Sequence, residues 1–171
     1  MNRIVYMVLR HLPIVPYWFW KIDHMGKRPD QYPEQERYDY LRNIIKTINQ
    51  NGRVTVRGYG EEQLPKENGF ILFPNHQGFF DMLAIIDTCP KPLGVIIKKE
   101  AANWILVKQV LRLLGGIPMD RSDIRAAMEV IKEMTRQVKE GKNYVIFPEG
   151  TRSRKGNELL EFKAGTFKSA I

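Results

Sequence analysis

The chain of 171 residues holds one cysteine, Cys89, and three histidines, His11, His24 and His76. A lone thiol excludes an intramolecular disulfide and fits a reducing compartment. It also excludes a Cys₂His₂-type zinc site, and no histidine pair stands at metal-ligand spacing, so no metal is expected. No apolar run reaches the roughly 18–20 residues that a bilayer-spanning helix needs. The first thirteen residues carry a short apolar core without a small-residue cleavage site, which argues against a secretory signal. Neither a Walker A loop nor a Gly-x-Ser-x-Gly nucleophile elbow occurs, which disfavours P-loop and serine-triad hydrolase chemistry. Internal repeats and low-complexity tracts are missing too.

What is present reads as a folded protein. Hydrophobic residues make up 43% and charged residues 27%, ordinary values for a globular chain of one domain. Lysine and arginine number 27 against 19 acidic residues, a net charge of +8. That balance suits an anionic partner: a phosphorylated metabolite, an anionic membrane surface or nucleic acid. The basic residues are scattered and form no nucleic-acid-binding motif, so nucleic acid is the weakest of the three.

Residues 3–22 hold Ile4 to Leu9, then Ile14, Val15 and the aromatic run Tyr17-Trp-Phe-Trp20, punctuated by Arg3, Arg10 and Lys21. Pro13 and Pro16 should interrupt a helix here. The mixture of rings and cations fits an interfacial anchor, with aromatics at headgroup level and cations on phosphates. A helix docked on the domain's own core would read the same way. After the turn chemistry of Pro29–Pro33, the residues Tyr38, Leu41, Ile45 and Ile48 recur at helical spacing, with Asn51-Gly52 as a stop. Residues 1–50 are thus expected to be a helical, membrane-associating segment, and 51–171 a separate domain.

Beyond residue 50, Arg53–Gly58 alternates with period two and predicts a strand with one polar face. Gly69–Phe73, Leu93–Ile97 and Asn143–Phe147 are continuous apolar runs, as expected of buried strands. Helices are predicted from Asp81 to about Cys89, from Trp104 to Leu114 and from Ile124 to Val138. Gly115-Gly116 and Gly141 close the last two. Ser122 or Asp123 serves as the cap of the third helix. Strands alternating with helices predict an α/β fold with a mainly parallel or mixed central sheet flanked by helices.

Three apolar segments end in polar clusters: Asn75-His76 with Asp81, Asp120-Arg121, and Glu149-Gly150-Thr151-Arg152. In a parallel sheet the strand C-termini share one edge, so the clusters should converge there. A histidine with a carboxylate partner and at least two arginines suits a general base aimed at a hydroxyl on a phosphorylated substrate. Alone, His76 could equally be a loop histidine, with Asp81 an N-cap. Cys89 reads as a packed core thiol.

The order of these clusters resembles the glycerolipid acyltransferase family. Asn75-His76-x₄-Asp81 is similar to its first block, Gly116-Ile-Pro-Met-Asp-Arg121 to its second, and Phe147-Pro-Glu-Gly-Thr-Arg-Ser153 matches its third residue for residue. Phe162-Lys163-Ala-Gly165 is similar to the basic segment that follows the third block. The resemblance spans residues 75–165 and is strongest to the bacterial 1-acyl-glycerol-3-phosphate acyltransferases.

The resemblance implies acyl transfer from acyl-CoA or acyl-carrier protein to the free hydroxyl of a lysophosphatidic acid, giving phosphatidic acid. It implies no further cofactor. His76 would be the base and Asp81 its orienter; Arg121, Glu149, Gly150, Thr151, Arg152 and Lys163 would bind the substrate phosphate. It also implies a peripheral location on the cytoplasmic membrane. The family's fourth block would lie beyond Ile171, so the catalytic domain is expected to be incomplete at its C-terminus. Glycerol-3-phosphate or another lysophospholipid remains an alternative acceptor, and a non-catalytic peripheral protein that binds anionic lipid is an alternative of a different class.

Overall fold

The computed structural model describes residues 10–154 and 158–169. The apolar residues Ile4 to Leu9 therefore lie outside the described residues, as do Ala170 and Ile171. Two helices lead the fold, α1 (Val15–Gly26) and α2 (Glu34–Asn51). Pro16 stands in the first turn of α1, where a missing N–H costs no helical hydrogen bond. Pro13 sits in the preceding turn, closed by the Ile14 N–H on the His11 carbonyl at 2.9 Å. Glu34 and Glu36 occupy the first turn of α2, complementing its positive end, and Tyr38, Leu41, Ile44 and Ile45 form its buried face.

The remaining elements alternate. They are β1 (Ile71–Leu72), α3 (Phe80–Thr88), β2 (Gly94–Lys98), the short α4 (Lys99–Ala102), α5 (Val107–Leu113), β3 (Ile117–Met119), α6 (Ile124–Lys139) and β4 (Tyr144–Val145). A 3₁₀ turn covers Ala164–Ser169. The four strands form one sheet in the order β1-β4-β2-β3, and every pairing is parallel.

Both faces of the sheet are covered. On one, Val95, Val145 and Phe147 join a single apolar cluster with Ile22 and Met25 of α1 and Tyr38 and Leu41 of α2. On the other, Ile96, Tyr144 and Ile146 pack with Met134 of α6. Helix α1 approaches α5 closely because Gly26 has no side chain; a Cβ there would stand 3.1 Å from the Leu113 nitrogen. Asp23 adds an ion pair to Arg112 at 3.1 Å. Buried Asn143 fixes the starts of three strands: its Nδ2 donates to the Pro92 carbonyl at 3.0 Å, and its Oδ1 accepts from the Gly69 N–H at 2.8 Å.

Helix ends follow the sequence closely. Asp123 caps α6, accepting from the N–H groups of Arg125 and Ala126. Gly115 and Gly141 take positive φ (62° and 93°) just past α5 and α6, the conformation that lets the chain turn out of a helix.

Three elements differ from expectation. Residues 53–58 do alternate, with Val54 and Val56 half-buried between exposed Arg53, Thr55 and Arg57, yet they join no ladder among the described residues. Period two reports one covered face; a strand also needs a neighbour to pair with. The helix expected from Trp104 begins only at Val107, because Leu106 adopts φ 73° and breaks the chain's direction. Edge strand β1 is half-buried, so its apolar run reflects local packing more than full enclosure.

Candidate active site

Strands β1 and β4 are neighbours, with Leu72 opposite Val145 and the Ile146 N–H continuing the ladder to the Leu72 carbonyl at 3.1 Å. Both chains therefore leave the sheet side by side at its C-terminal edge. The first exit carries His76 and the second Glu149, residues 73 positions apart in sequence.

His76 is held at several points. Its Nδ1 lies 2.8 Å from Asp81 Oδ2. Its backbone N–H donates to Glu149 Oε1 at 2.6 Å, and its carbonyl accepts from the Ser153 N–H at 2.7 Å. The imidazole stacks on Phe147, with ring centroids 4.1 Å apart and planes 28° from parallel. Asp81 belongs to the first turn of α3 and reaches back over the loop that precedes it. The same Oδ2 accepts the N–H groups of Gln77 at 2.7 Å and Gly78 at 2.9 Å. Burial disfavours the Asp81 charge, but the Gly78 amide, His76 and the Gln77 amide outweigh it and hold the carboxyl below its ordinary range. Asp81 thus faces His76 and the loop amides, while the cap position of α3 is held by Phe79.

Glu149 is only 2% exposed. Its second oxygen accepts the Leu160 N–H at 3.0 Å, so both carboxylate oxygens sit on backbone amides. The sequence grouped Glu149 with the phosphate-binding residues. In the structure its two oxygens clamp the His76 loop to the segment leading to Lys163.

The cations gather on the other side of Gly150. Arg121 Nη1 donates to the Gly150 carbonyl. A Cβ on Gly150, which has φ 70°, would stand 3.9 Å from both Arg121 Nη1 and Lys163 Cγ, so the two cations flank this glycine. Burial pulls the Arg121 guanidinium below its usual value, with Glu100 opposing. The Lys163 backbone N–H holds the Pro148 carbonyl at 2.8 Å. Arg152 lies with its guanidinium carbon 4.1 Å from the centre of the Phe79 ring, a cation–π contact. Thr151 is exposed on the loop between them. Asp120 turns aside to Ser122 and to Lys99 at 3.5 Å. Phe79, which supports Arg152, carried no signal in the sequence that separates it from core phenylalanines, whereas Phe147, which stacks on His76, opens the third matched block.

A family profile described as Acyltransferase matches residues 53–171 and so takes in every one of these side chains. The crystal structure of the 1-acyl-sn-glycerophosphate (LPA) acyltransferase PlsC from Thermotoga maritima superposes with a TM-score of 0.72 at 25% identity, covering 99% of this chain and 70% of that one. The chain belongs to the PlsC-like acyltransferase family. Among similar proteins, the 1-acyl-sn-glycerol-3-phosphate acyltransferase of Borreliella burgdorferi is 34% identical over 66% of this chain and 44% of its own length. The enzyme of the same name from Cocos nucifera is 41% identical over 57% of this chain and 32% of its own. The chain thus spans less than half the length of these two relatives. Helices α1 and α2 as far as Gly52 lie outside the profile match but inside the superposition, so the PlsC-like fold here includes them.

Proposed function

We propose that this chain transfers an acyl group from the thioester of acyl-CoA or acyl-carrier protein to the free hydroxyl of 1-acyl-glycerol-3-phosphate, giving phosphatidic acid. The observation that carries the reading is the 2.8 Å contact between His76 Nδ1 and Asp81 Oδ2. With Nδ1 committed to an ionised carboxylate, the imidazole's proton sits there and Nε2 presents a lone pair. Nε2 takes the proton of the acceptor hydroxyl as its oxygen attacks the thioester carbonyl carbon. The C–O bond forms, the C–S bond breaks, and the thiolate leaves with a proton returned by the imidazolium. Asp81 stabilises that imidazolium between the two transfers.

Arg121, Arg152 and Lys163 supply the charge for the acceptor phosphate, the arginines through planar forks that match two phosphate oxygens. Gly150 supplies the positive φ of the turn that Arg121 and Lys163 flank. Glu149 serves this set by position. Cys89 stays out of the chemistry: it is buried, its thiol is pushed up by that burial, and it faces the Lys91 carbonyl.

Residues 1–50 seat the protein on the cytoplasmic membrane from one side. Leu12, Ile14, Val15, Tyr17 and Trp20 are exposed around the start of α1, followed by Lys21, Lys27 and Arg28. No described helix is long and apolar enough to cross a membrane.

The test is incubation with labelled acyl-CoA or acyl-carrier protein and a panel of glycerolipid acceptors. Labelled phosphatidate from lysophosphatidate is the expected product. Product from glycerol-3-phosphate alone would move the acceptor, and no product from any pair with folded protein would overturn the reading.

A further inference from the structure

The alternation of side chains along β4 fixes where Phe147 points. Val145 and Phe147 join the apolar cluster that holds α1 and α2, while Tyr144 and Ile146 join the one that holds α6. Phe147 is thus the last core residue of this chain exit, 9% exposed. Its carbonyl accepts the Gly150 N–H at 3.1 Å, which starts the turn toward the cations. Neighbouring β1 leaves the sheet alongside and brings His76 onto the same ring.

The contact has a particular geometry. The ring centroids stand 4.1 Å apart with the planes 28° from parallel. Aromatic pairs ordinarily prefer offset or edge-on arrangements at roughly 4.5–7 Å, because each face carries negative charge and each edge positive. A closer, nearly parallel stack brings two negative faces toward each other. It becomes favourable when one ring is a cation, because the negative face of the other then attracts it. This arrangement suits an imidazolium better than a neutral imidazole.

The other fastenings of His76 work differently. Glu149 and Ser153 hold its backbone N–H and carbonyl, atoms whose charge does not change during proton transfer. Asp81 does respond to the proton, but it acts at Nδ1. Phe147 meets the ring on its face and occupies neither nitrogen.

We infer that Phe147 is a positioning residue for the base, its ring face stabilising the His76 imidazolium that exists between the two proton transfers. The kinetic part of this inference rests on the reaction proposed above; the electrostatic part rests on the stack alone. A contact that favours the protonated base over the neutral one lowers the barrier to taking the hydroxyl proton. A contact that holds both forms equally would only locate the ring.

The experiment grades the charge of the face while keeping its shape. In the 171-residue chain, Phe147 is replaced by mono-, tri- and pentafluorophenylalanine, which drain the face of negative charge stepwise. Phe147→Tyr keeps the face and Phe147→Leu removes it. With acyl-CoA and lysophosphatidate, turnover should fall along the series, by about fivefold at the pentafluoro end, the scale of one cation–π contact. Acceptor KM should stay level, and Phe147→Tyr should stay close to the parent. In parallel, the signals of isotope-labelled histidine rings are followed over pH without substrate, with His76 assigned by His76→Gln and His11 and His24 as controls. The pentafluoro variant should reach the His76 imidazolium form at a pH lower by about 0.7, the same fivefold in proton affinity. Asp81 and Glu149, the charged groups on this loop, are identical in every member of the series. A titration that does not move would overturn the inference whatever the turnover, and so would level turnover beside a moving titration. A titration that moves in a chain with no turnover on any acceptor would sustain the electrostatic contact and overturn the reaction instead.

Discussion

The two sides of the site are held by opposite means. Around His76, carboxylates bind backbone amides at short range: Asp81 takes Gln77 and Gly78, and Glu149 takes His76 and Leu160. Around Gly150, long cationic side chains meet a carbonyl, a ring face and solvent. The first arrangement leaves few degrees of freedom, because each charge-assisted contact fixes backbone. The second keeps rotatable stems whose heads can follow a ligand. A proton transfer tolerates little misplacement, whereas a doubly charged phosphate is attracted from any nearby direction. Under the proposed reaction, rigidity stands where geometry governs the rate, and rotatable cationic stems where charge governs binding.

Substitutions can break this contrast on either side. His76→Ala should produce the largest effect, a loss of at least ~100-fold in turnover with little change in acceptor KM. Near-normal turnover from folded protein would remove the base. Arg152→Ala should act the other way, raising acceptor KM by roughly 10–100-fold, the scale of a hydrogen bond to a charged group, while turnover stays close to that of the parent. A fall in turnover at unchanged KM would place Arg152 on the rigid side.

The smallest effect is expected on stability, from Asp81→Asn, and its pH dependence carries the sign. The Asp81 carboxyl is held below its ordinary value of 3.8. Its contribution to stability is therefore present above that value and lost as pH falls through the lower folded one. Melting temperatures of parent and Asp81→Asn should differ most near neutrality and converge in the acid range below the ordinary value. A gap that persists unchanged into strong acid would mean the side chain matters for packing rather than charge.

Much of this was legible from residue pattern. Apolar runs of five residues placed β2 and β4, the capping of Asp123 and the glycines after α5 and α6 placed the helix ends, and the polar clusters at strand ends met at one sheet edge as a parallel arrangement requires. Other features depended on contacts that sequence order does not encode. Val54 and Val56 show period two without a partner strand among the described residues. Trp104 and Leu106 satisfy helical spacing, yet the backbone at Leu106 turns against it. Glu149 sits among cations in the motif, and only the fold reveals that its oxygens face the amides of His76 and Leu160. The match of Phe147–Ser153 to a known block located the residue while leaving its contacts open.

The Glu149 clamp also orders events in time. Its two amide partners lie 73 residues before it and 11 after it. On the ribosome, His76 emerges long before Glu149, and Glu149 before Leu160. A nascent chain that has not yet released Leu160 holds the imidazole loop by half its fastening. Domains fold as units as they emerge, so a partly made chain carries His76 before it carries the Glu149 contacts that fasten its loop.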